Sequence, residues 1–157
     1  MRLLFLCTHN ACRSILCEAI FRARAAGRIS VASAGSARRG TVHPLTLEQL
    51  ARRGYSVDGL ASKPMEALRS FAPAAVVTVC DSAAQEACPV WLGDVERVHW
   101  GLPDPTRAGL SQAQREATFD AVIATIEQRV AGLAQVDPLP EDRAGIGKLL
   151  NAFAAHS

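Results

Sequence analysis

The chain has 157 residues, 49% of them apolar, with 17 basic and 15 acidic side chains and a net charge of +2. That length fits one domain with a core large enough to fold alone, residues 1–157 together. The near-neutral balance and scattered arginines give no basic stripe for nucleic acid; no apolar run is long enough to span a membrane or form a signal-peptide core, so a cytoplasmic protein is expected.

In chain order, residues 2–6 read as a short, fully buried strand. After the polar stretch CTHNACRS, residues 14–26 read as a helix, with Ile15, Leu16, Ala19, Ile20 and Ala23 on one face and Arg22 and Arg24 outside. Residues 29–33 form a second strand, and the Ser-Ala-Gly that follows turns the chain. A helix starts at His43-Pro44, with Pro44 in its first turn and Gly54 at its end. Residues 62–70 read as a further short helix, 74–79 as the strongest strand, and 95–100 as another strand. Ser111 and Gln114 make a capping box ahead of Phe119, Val122, Ile123, Ile126, Val130 and Leu133, which recur at helical spacing. The tail from Pro138 offers a last helix weakened by Gly145 and Gly147. Strands alternating with helices predict an α/β fold: a four-stranded parallel sheet flanked by helices. Ligands of such sheets bind at the carboxyl ends of the strands, where Cys7, Cys80 and the stretch WGLPDP fall.

Five cysteines in a reducing compartment make no disulfide framework. Their spacings, at 7, 12, 17, 80 and 88, match no zinc module, so no metal is expected. Cys12 and Cys17 read as buried structural thiols. The loop after the first strand has a different logic. A strand-to-helix loop gathers backbone N–H groups at the positive end of a helix dipole, which suits a tetrahedral oxyanion. The expected cradle is Thr8, His9, Asn10, Ala11, Cys12 and Arg13. Arg13 adds a planar fork of donors, Ser14 can donate to the Cys7 sulfur, and Asn10 tolerates a left-handed backbone. His9 is read as lining the site, not as its base. Making a thiol about two pKa units more acidic raises its reactivity near neutral pH only about 2–3-fold, because nucleophilicity falls with basicity. The larger benefit must come from holding the oxyanion in line with the sulfur.

CTHNACRS resembles the oxyanion loop of the low-molecular-weight protein tyrosine phosphatases and of the arsenate reductases built on that fold: Cys, five residues, Arg, then Ser, after an N-terminal strand. VVTVCDSAAQEACPVW resembles the redox segment of those arsenate reductases, and HWGLPDP their acid loop. The resemblance covers roughly residues 2–133. It implies reduction of arsenate to arsenite, with phosphate or sulfate as mimics. Cys7 then matches the nucleophile, Arg13 the oxyanion anchor, Ser14 the thiolate donor and Asp104 the general acid. Cys80 matches the cysteine that attacks the arsenic-bearing sulfur, and Cys88 the one that takes over the disulfide. No bound cofactor is implied, only an external thiol reductant: thioredoxin, or glutathione with glutaredoxin. Seven residues separate Cys80 from Cys88, one more than in thioredoxin-coupled members, and this longer form resembles the glutaredoxin-using branch. Some relatives hold potassium behind the loop. Asn10, Glu18 and Ser33 match three of its ligands, but the fourth position reads Lys63, whose ammonium replaces the ion. A monomer is expected.

Two other functions stay open. A tyrosine phosphatase would usually place an aromatic after Asp104-Pro105, where this chain has Thr106; its single tyrosine is Tyr55, and it would not need Cys80 or Cys88. Weak phosphatase activity is nonetheless expected. A non-enzymatic thiol-based redox or arsenite sensor would not need Asp104. The segment between Cys80 and Cys88 reads as a helix capped by Asp81 or Ser82. Eight helical steps rise about 12 Å, and a disulfide needs Cα atoms about 4.4–6.8 Å apart. The expectation is a helix that unwinds when the two cysteines join.

Overall fold

The computed structural model describes residues 1–86 and 89–154. Four strands, β1 (Arg2–Cys7), β2 (Ser30–Gly35), β3 (Ala75–Thr78) and β4 (Glu96–His99), form one parallel sheet in the order β2-β1-β3-β4. The helices are α1 (Arg13–Arg24), α2 (Pro44–Arg52), α3 (Asp81–Gln85), α4 (Gln112–Ala134) and α5 (Arg143–Ala154). Strand periodicity divides the core. Leu3, Phe5, Cys7, Ala75 and Val77 join the larger cluster with residues of α1, α4 and α5, while Leu4, Leu6 and Val76 join a smaller one around Met65. Central β1 is buried on both faces from Leu3 onward, which explains its unbroken apolar run.

Two sequence expectations need correction. In α1 the apolar stripe is wider than expected: every residue from Ser14 to Phe21 is buried, whereas Ala23 is exposed. The helix is enclosed by the sheet on one side and by α2 and α4 on the other. The helix expected over 62–70 is instead a 3₁₀ segment, Met65–Phe71, kinked at Leu68. Residues before it are committed to other bonds: Lys63 accepts from Gly35 N (2.9 Å), its own N donates to Asn10 Oδ1 (2.8 Å), and Pro64 bridges to Gly35.

α4 begins as its sequence dictates, with both arms of the Ser111/Gln114 capping box formed. The tail is a packed element. α5 lies along β4, the edge strand, and covers it. Trp100 Nε1 donates to Leu150 O (2.9 Å), Arg143 Nε donates to Glu96 Oε2 (2.9 Å), and the Arg129 guanidinium sits 5.1 Å from the Trp100 ring. Gly147 of this helix faces the Glu96 carboxylate, which would have to shift to admit a Cβ there. Among the described residues, no helix is long and apolar enough to cross a membrane.

Candidate active site

The loop from Cys7 to Arg13 is shaped by where its carbonyls go. Thr8 O accepts from Ala37 N (2.8 Å), His9 O from Arg39 N (3.1 Å), Ala11 O from His43 N (2.9 Å) and Cys12 O from Leu16 N (2.8 Å). Across a trans peptide the N–H points opposite to the C=O. Tying these carbonyls outward therefore turns the N–H groups of His9, Asn10, Cys12 and Arg13 toward the cleft. Asn10 N shows the result directly, donating to Cys7 Sγ at 3.2 Å. Asn10 has φ 49°, the left-handed conformation expected of it.

Gly35 lets the loop come this close. A Cβ at Gly35 would lie 2.8 Å from Thr8 O and 3.0 Å from Asn10 N. Gly35→Ala is expected to destabilise the fold by about 1–3 kcal/mol through overpacking, seen as a lower urea midpoint at unchanged m-value. An unchanged midpoint would show that the loop shifts without cost.

Behind the loop, a hydrogen-bond chain runs to the Cys7 sulfur. Asn10 Nδ2 donates to Ser14 Oγ (2.7 Å) and to Ser33 Oγ (3.0 Å). Ser14 Oγ stands 2.9 Å from Cys7 Sγ. Asn10 occupies one of the two lone pairs of that hydroxyl, whose proton is available to the sulfur when Cys7 is a thiolate. Ser33 Oγ in turn donates to Glu18 Oε2 (2.5 Å). Lys63 Nζ lies 3.5 Å from that same carboxylate oxygen and donates to Ala61 O (2.8 Å). Glu18, Asn10, Ser33 and Ser14 are all buried. Lys63 thus supplies the positive charge this network needs. A potassium ion there would face the ammonium, and the residues present do not fit one.

Arg13 and Asp104 meet at the cleft. Arg13 Nη1 donates to Leu102 O (3.1 Å), and Nη2 is 3.7 Å from Asp104 Oδ2. Thr106 holds the other carboxylate oxygen, its N and Oγ1 donating to Asp104 Oδ1 at 2.9 and 2.8 Å. Asp104 is therefore a turn residue through one oxygen and a site residue through the other. Cys7, His9 and Arg13 line the cleft, with Arg39, Asp104 and Thr106 beside them and no Phe, Tyr or Trp among these lining residues. Tyr55 is elsewhere, donating to Glu127 Oε1 (2.7 Å). His9 Nδ1 is 3.2 Å from Ala37 O, a lining position.

The remaining thiols separate by environment. Burial pushes the Cys12 thiol up to about 12 and raises that of Cys17 further. Both behave as inert core groups at neutral pH, as the sequence suggested. Cys80, from a neighbouring strand end, reaches the loop: its Sγ is 3.5 Å from Thr8 Oγ1. It also stands as the N-terminal cap residue of α3 but makes no side-chain capping bond, and neither Asp81 nor Ser82 takes that role. Asp81 instead meets His99 Nε2 at 3.1 Å. α3 stops at Gln85 with Glu86 extended. So short a helix lets the chain bend back, and unwinding no longer follows from length alone. Cys88 lies outside the described residues.

Sequence reasoning missed the braces of the loop. His43 caps α2 through Nδ1, accepting from Leu45 N (3.1 Å), and Thr46 Oγ1 donates to Ala11 O (3.2 Å). Burial first, then the Arg39 and Arg115 charges, lowers the His43 pKa and keeps it the neutral acceptor this cap requires. Nothing local in HPLT marks it as a support for a loop more than thirty residues away.

Comparison with known proteins adds the following. The model of the low molecular weight phosphotyrosine protein phosphatase family matches residues 2–144, so α5 lies almost wholly beyond the match. An arsenate reductase of Halalkalibacterium halodurans is 31% identical over 131 residues, covering 83% of this chain and 93% of its own. That of Bacillus subtilis is 30% identical with the same coverage. Among solved structures, an arsenate reductase in the phosphate binding state has a TM-score of 0.68 at 25% identity, covering 85% of this chain and 95% of the other. A thioredoxin-dependent arsenate reductase of Corynebacterium glutamicum has a TM-score of 0.63 at 28% identity, covering 84% of this chain and 59% of the other.

Proposed function

Because this chain belongs to the low molecular weight phosphotyrosine protein phosphatase family, we propose that it turns the family's oxyanion loop to the reduction of arsenate to arsenite. The observation that carries this reading is Cys80: a buried free thiol from a neighbouring strand end, with its Sγ 3.5 Å from Oγ1 of Thr8, the residue next to Cys7. Hydrolysis of a phosphate ester has no use for it. Arsenate reduction does, because a single cysteine can bind arsenic without supplying two electrons.

In this mechanism arsenate sits on the N–H groups of the loop, gripped by Arg13. Cys7, its thiolate held by Asn10 N and Ser14 Oγ, attacks arsenic. The departing oxygen takes a proton from Asp104, whose Oδ2 is the oxygen left free by Thr106. Cys80 as thiolate then attacks Cys7 Sγ. The sulfur–arsenic bond breaks with its electron pair going to arsenic, which leaves as arsenite, and a Cys7–Cys80 disulfide remains. Cys88 attacks Cys80, releases Cys7 as thiolate and leaves a Cys80–Cys88 disulfide for an external reductant. Every group up to the first disulfide lies in one chain, consistent with a working monomer. The cycle requires reduced thiols, which the cytoplasm provides. Thioredoxin, the donor of the Corynebacterium glutamicum relative, is proposed over the glutaredoxin route that the Cys80–Cys88 spacing resembles, and glutaredoxin with glutathione is the comparison reductant.

The test is turnover of arsenate with thioredoxin, thioredoxin reductase and NADPH. The expected result is one arsenite per NADPH oxidised. Hydrolysis of an aryl phosphate without any arsenite would leave the phosphatase reading in its place. That reading has support in the shared loop and in Asp104, so slow aryl phosphate hydrolysis is expected alongside reduction. Asp104→Asn should slow that hydrolysis about 10²-fold, the lower end for loss of a general acid. Unchanged hydrolysis in the variant would remove Asp104 from the acid role.

A further inference from the structure

We infer that Arg39 is a second substrate-binding arginine: a guanidinium at the mouth of the cleft that captures the incoming tetrahedral oxyanion and pairs with an oxygen that Arg13 leaves free. The inference deepens the reading above and rests on it for arsenate as the substrate.

Arg39 is exposed, and an exposed arginine is ordinary on a protein surface. Its setting here is not. It lines the same cleft as Cys7, Arg13 and Asp104. The segment that carries it is stitched to the oxyanion loop and its support. Ala37 N donates to Thr8 O (2.8 Å), Arg39 N to His9 O (3.1 Å) and Gly40 N to Ser62 Oγ (3.3 Å). Ser62 Oγ in turn donates to His9 O (3.1 Å). The backbone of Arg39 is therefore fixed against the cradle. Its head is not. The neighbouring Arg38 has its Nη1 on Ser62 O (3.4 Å), whereas the Arg39 guanidinium makes no ion pair and no hydrogen bond among the described residues.

Charge balance gives that free head a task. A phosphate group carries about 1.5–2 negative charges at pH 7, and arsenate is its close analogue. It enters a cleft that must also hold the Cys7 thiolate. The helix N-terminus offers the equivalent of about half a positive charge. Arg13 has Asp104 Oδ2 at 3.7 Å from its Nη2, and Lys63 faces Glu18 behind the loop. Of the two arginines lining the cleft, Arg39 is the one with no carboxylate beside it among the described residues. A cleft with an excess of one sign of charge draws in the opposite ion and raises its local concentration. A guanidinium can then take an oxyanion with paired, charge-assisted hydrogen bonds. The product does not share this attraction: arsenite leaves as uncharged arsenous acid. A cation on a free side chain at the mouth therefore favours entry of substrate without holding back product.

The experiment uses inorganic phosphate as the probe and compares Arg39→Gln, Arg39→Lys and Arg52→Gln with wild type. Arg52, in the last turn of α2 beside Glu116, controls for the loss of one positive charge away from the cleft. The first measurement is protection of Cys7 from alkylation by increasing phosphate, which requires no turnover. Arg39→Gln is expected to need about 5–10-fold more phosphate for half protection, with Arg39→Lys in between and Arg52→Gln close to wild type. Added salt should weaken protection less in Arg39→Gln than in wild type, because an exposed cation is screened. The second measurement is arsenate turnover, in which KM should rise about 5–10-fold in Arg39→Gln with kcat within about twofold. Glutamine keeps the backbone bond to His9 O, so the variant retains the loop. Unchanged half protection in Arg39→Gln overturns the role, as does an equal loss in Arg52→Gln or a fall in kcat at unchanged KM. Wild type that forms no arsenite with any reductant, yet shows the expected protection pattern, overturns the reductase reading and leaves Arg39 as an anion-binding residue of a phosphatase.

Discussion

Cys80→Ser is expected to stop arsenite formation, with turnover at least about 10³-fold below wild type, while aryl phosphate hydrolysis stays within about twofold. The two activities share the loop, Cys7, Arg13 and Asp104 and part company only after the first bond to sulfur. In the variant Cys7 still attacks arsenate, but no neighbouring thiol attacks Cys7. An external thiol at millimolar concentration must replace a group held in place beside Thr8, and well-oriented intramolecular groups act at effective concentrations many orders of magnitude higher. The variant should fold normally: serine conserves shape, and among the described residues the polar contact of Cys80 Sγ is a weak one, at 3.5 Å to Thr8 Oγ1. Measured arsenite release with intact phosphatase activity as the control decides it. Substantial thioredoxin-driven reduction in Cys80→Ser would mean that another thiol resolves the adduct, and the proposed cascade would be wrong.

Arg13→Lys is expected to lower both activities about 10³-fold, with weaker protection of Cys7 by phosphate. The guanidinium does two things that an ammonium cannot do together. Nη1 is anchored on Leu102 O at 3.1 Å, which fixes the plane, and Nη2 is left facing the cleft and Asp104. A lysine has one rotating donor head and no second nitrogen to anchor it. It would either bond Leu102 or reach the oxyanion. Loss of one fixed donor to a developing charge costs about 10²–10³-fold in other enzymes, and lost orientation adds to that. Kinetics with an aryl phosphate and with arsenate check the claim in parallel. Near-normal rates would show that the loop N–H groups alone carry the oxyanion.

Fold and site differ in how far they could be read from the chain. All four strands fall within a residue or two of their expected bounds, because alternation and burial are written locally; the largest difference is at the second, Ser30–Gly35, which runs two residues past its expected end. The 3₁₀ segment at Met65–Phe71 was read as an ordinary helix, because nothing in SKPMEALRS shows that Lys63 is already bonded to Gly35 and Asn10. Ala23 was placed in the core by periodicity, whereas the packing of α1 between sheet, α2 and α4 ends the buried stretch at Phe21 except for Ala25. The glycines of the tail argue against a helix, yet α5 forms there, packed along β4 with Gly147 facing the Glu96 side chain.

The sequence by itself determined the strand, loop and helix that carry Cys7, Arg13 and Ser14. Those groups sit within eight consecutive residues, and local geometry alone brings them to one helix N-terminus. Only the tertiary structure decided how they are poised. Ser14 stands between Cys7 and Asn10, and Asn10 is held by Ser33 and by the backbone of Lys63, 23 and 53 residues away. Asp104 comes to Arg13, and Cys80 to Thr8, across separations of 91 and 72 residues. Parallel strands are joined by long crossovers, so which strand ends stand side by side depends on strand order and register, and these emerge only when the whole sheet is assembled.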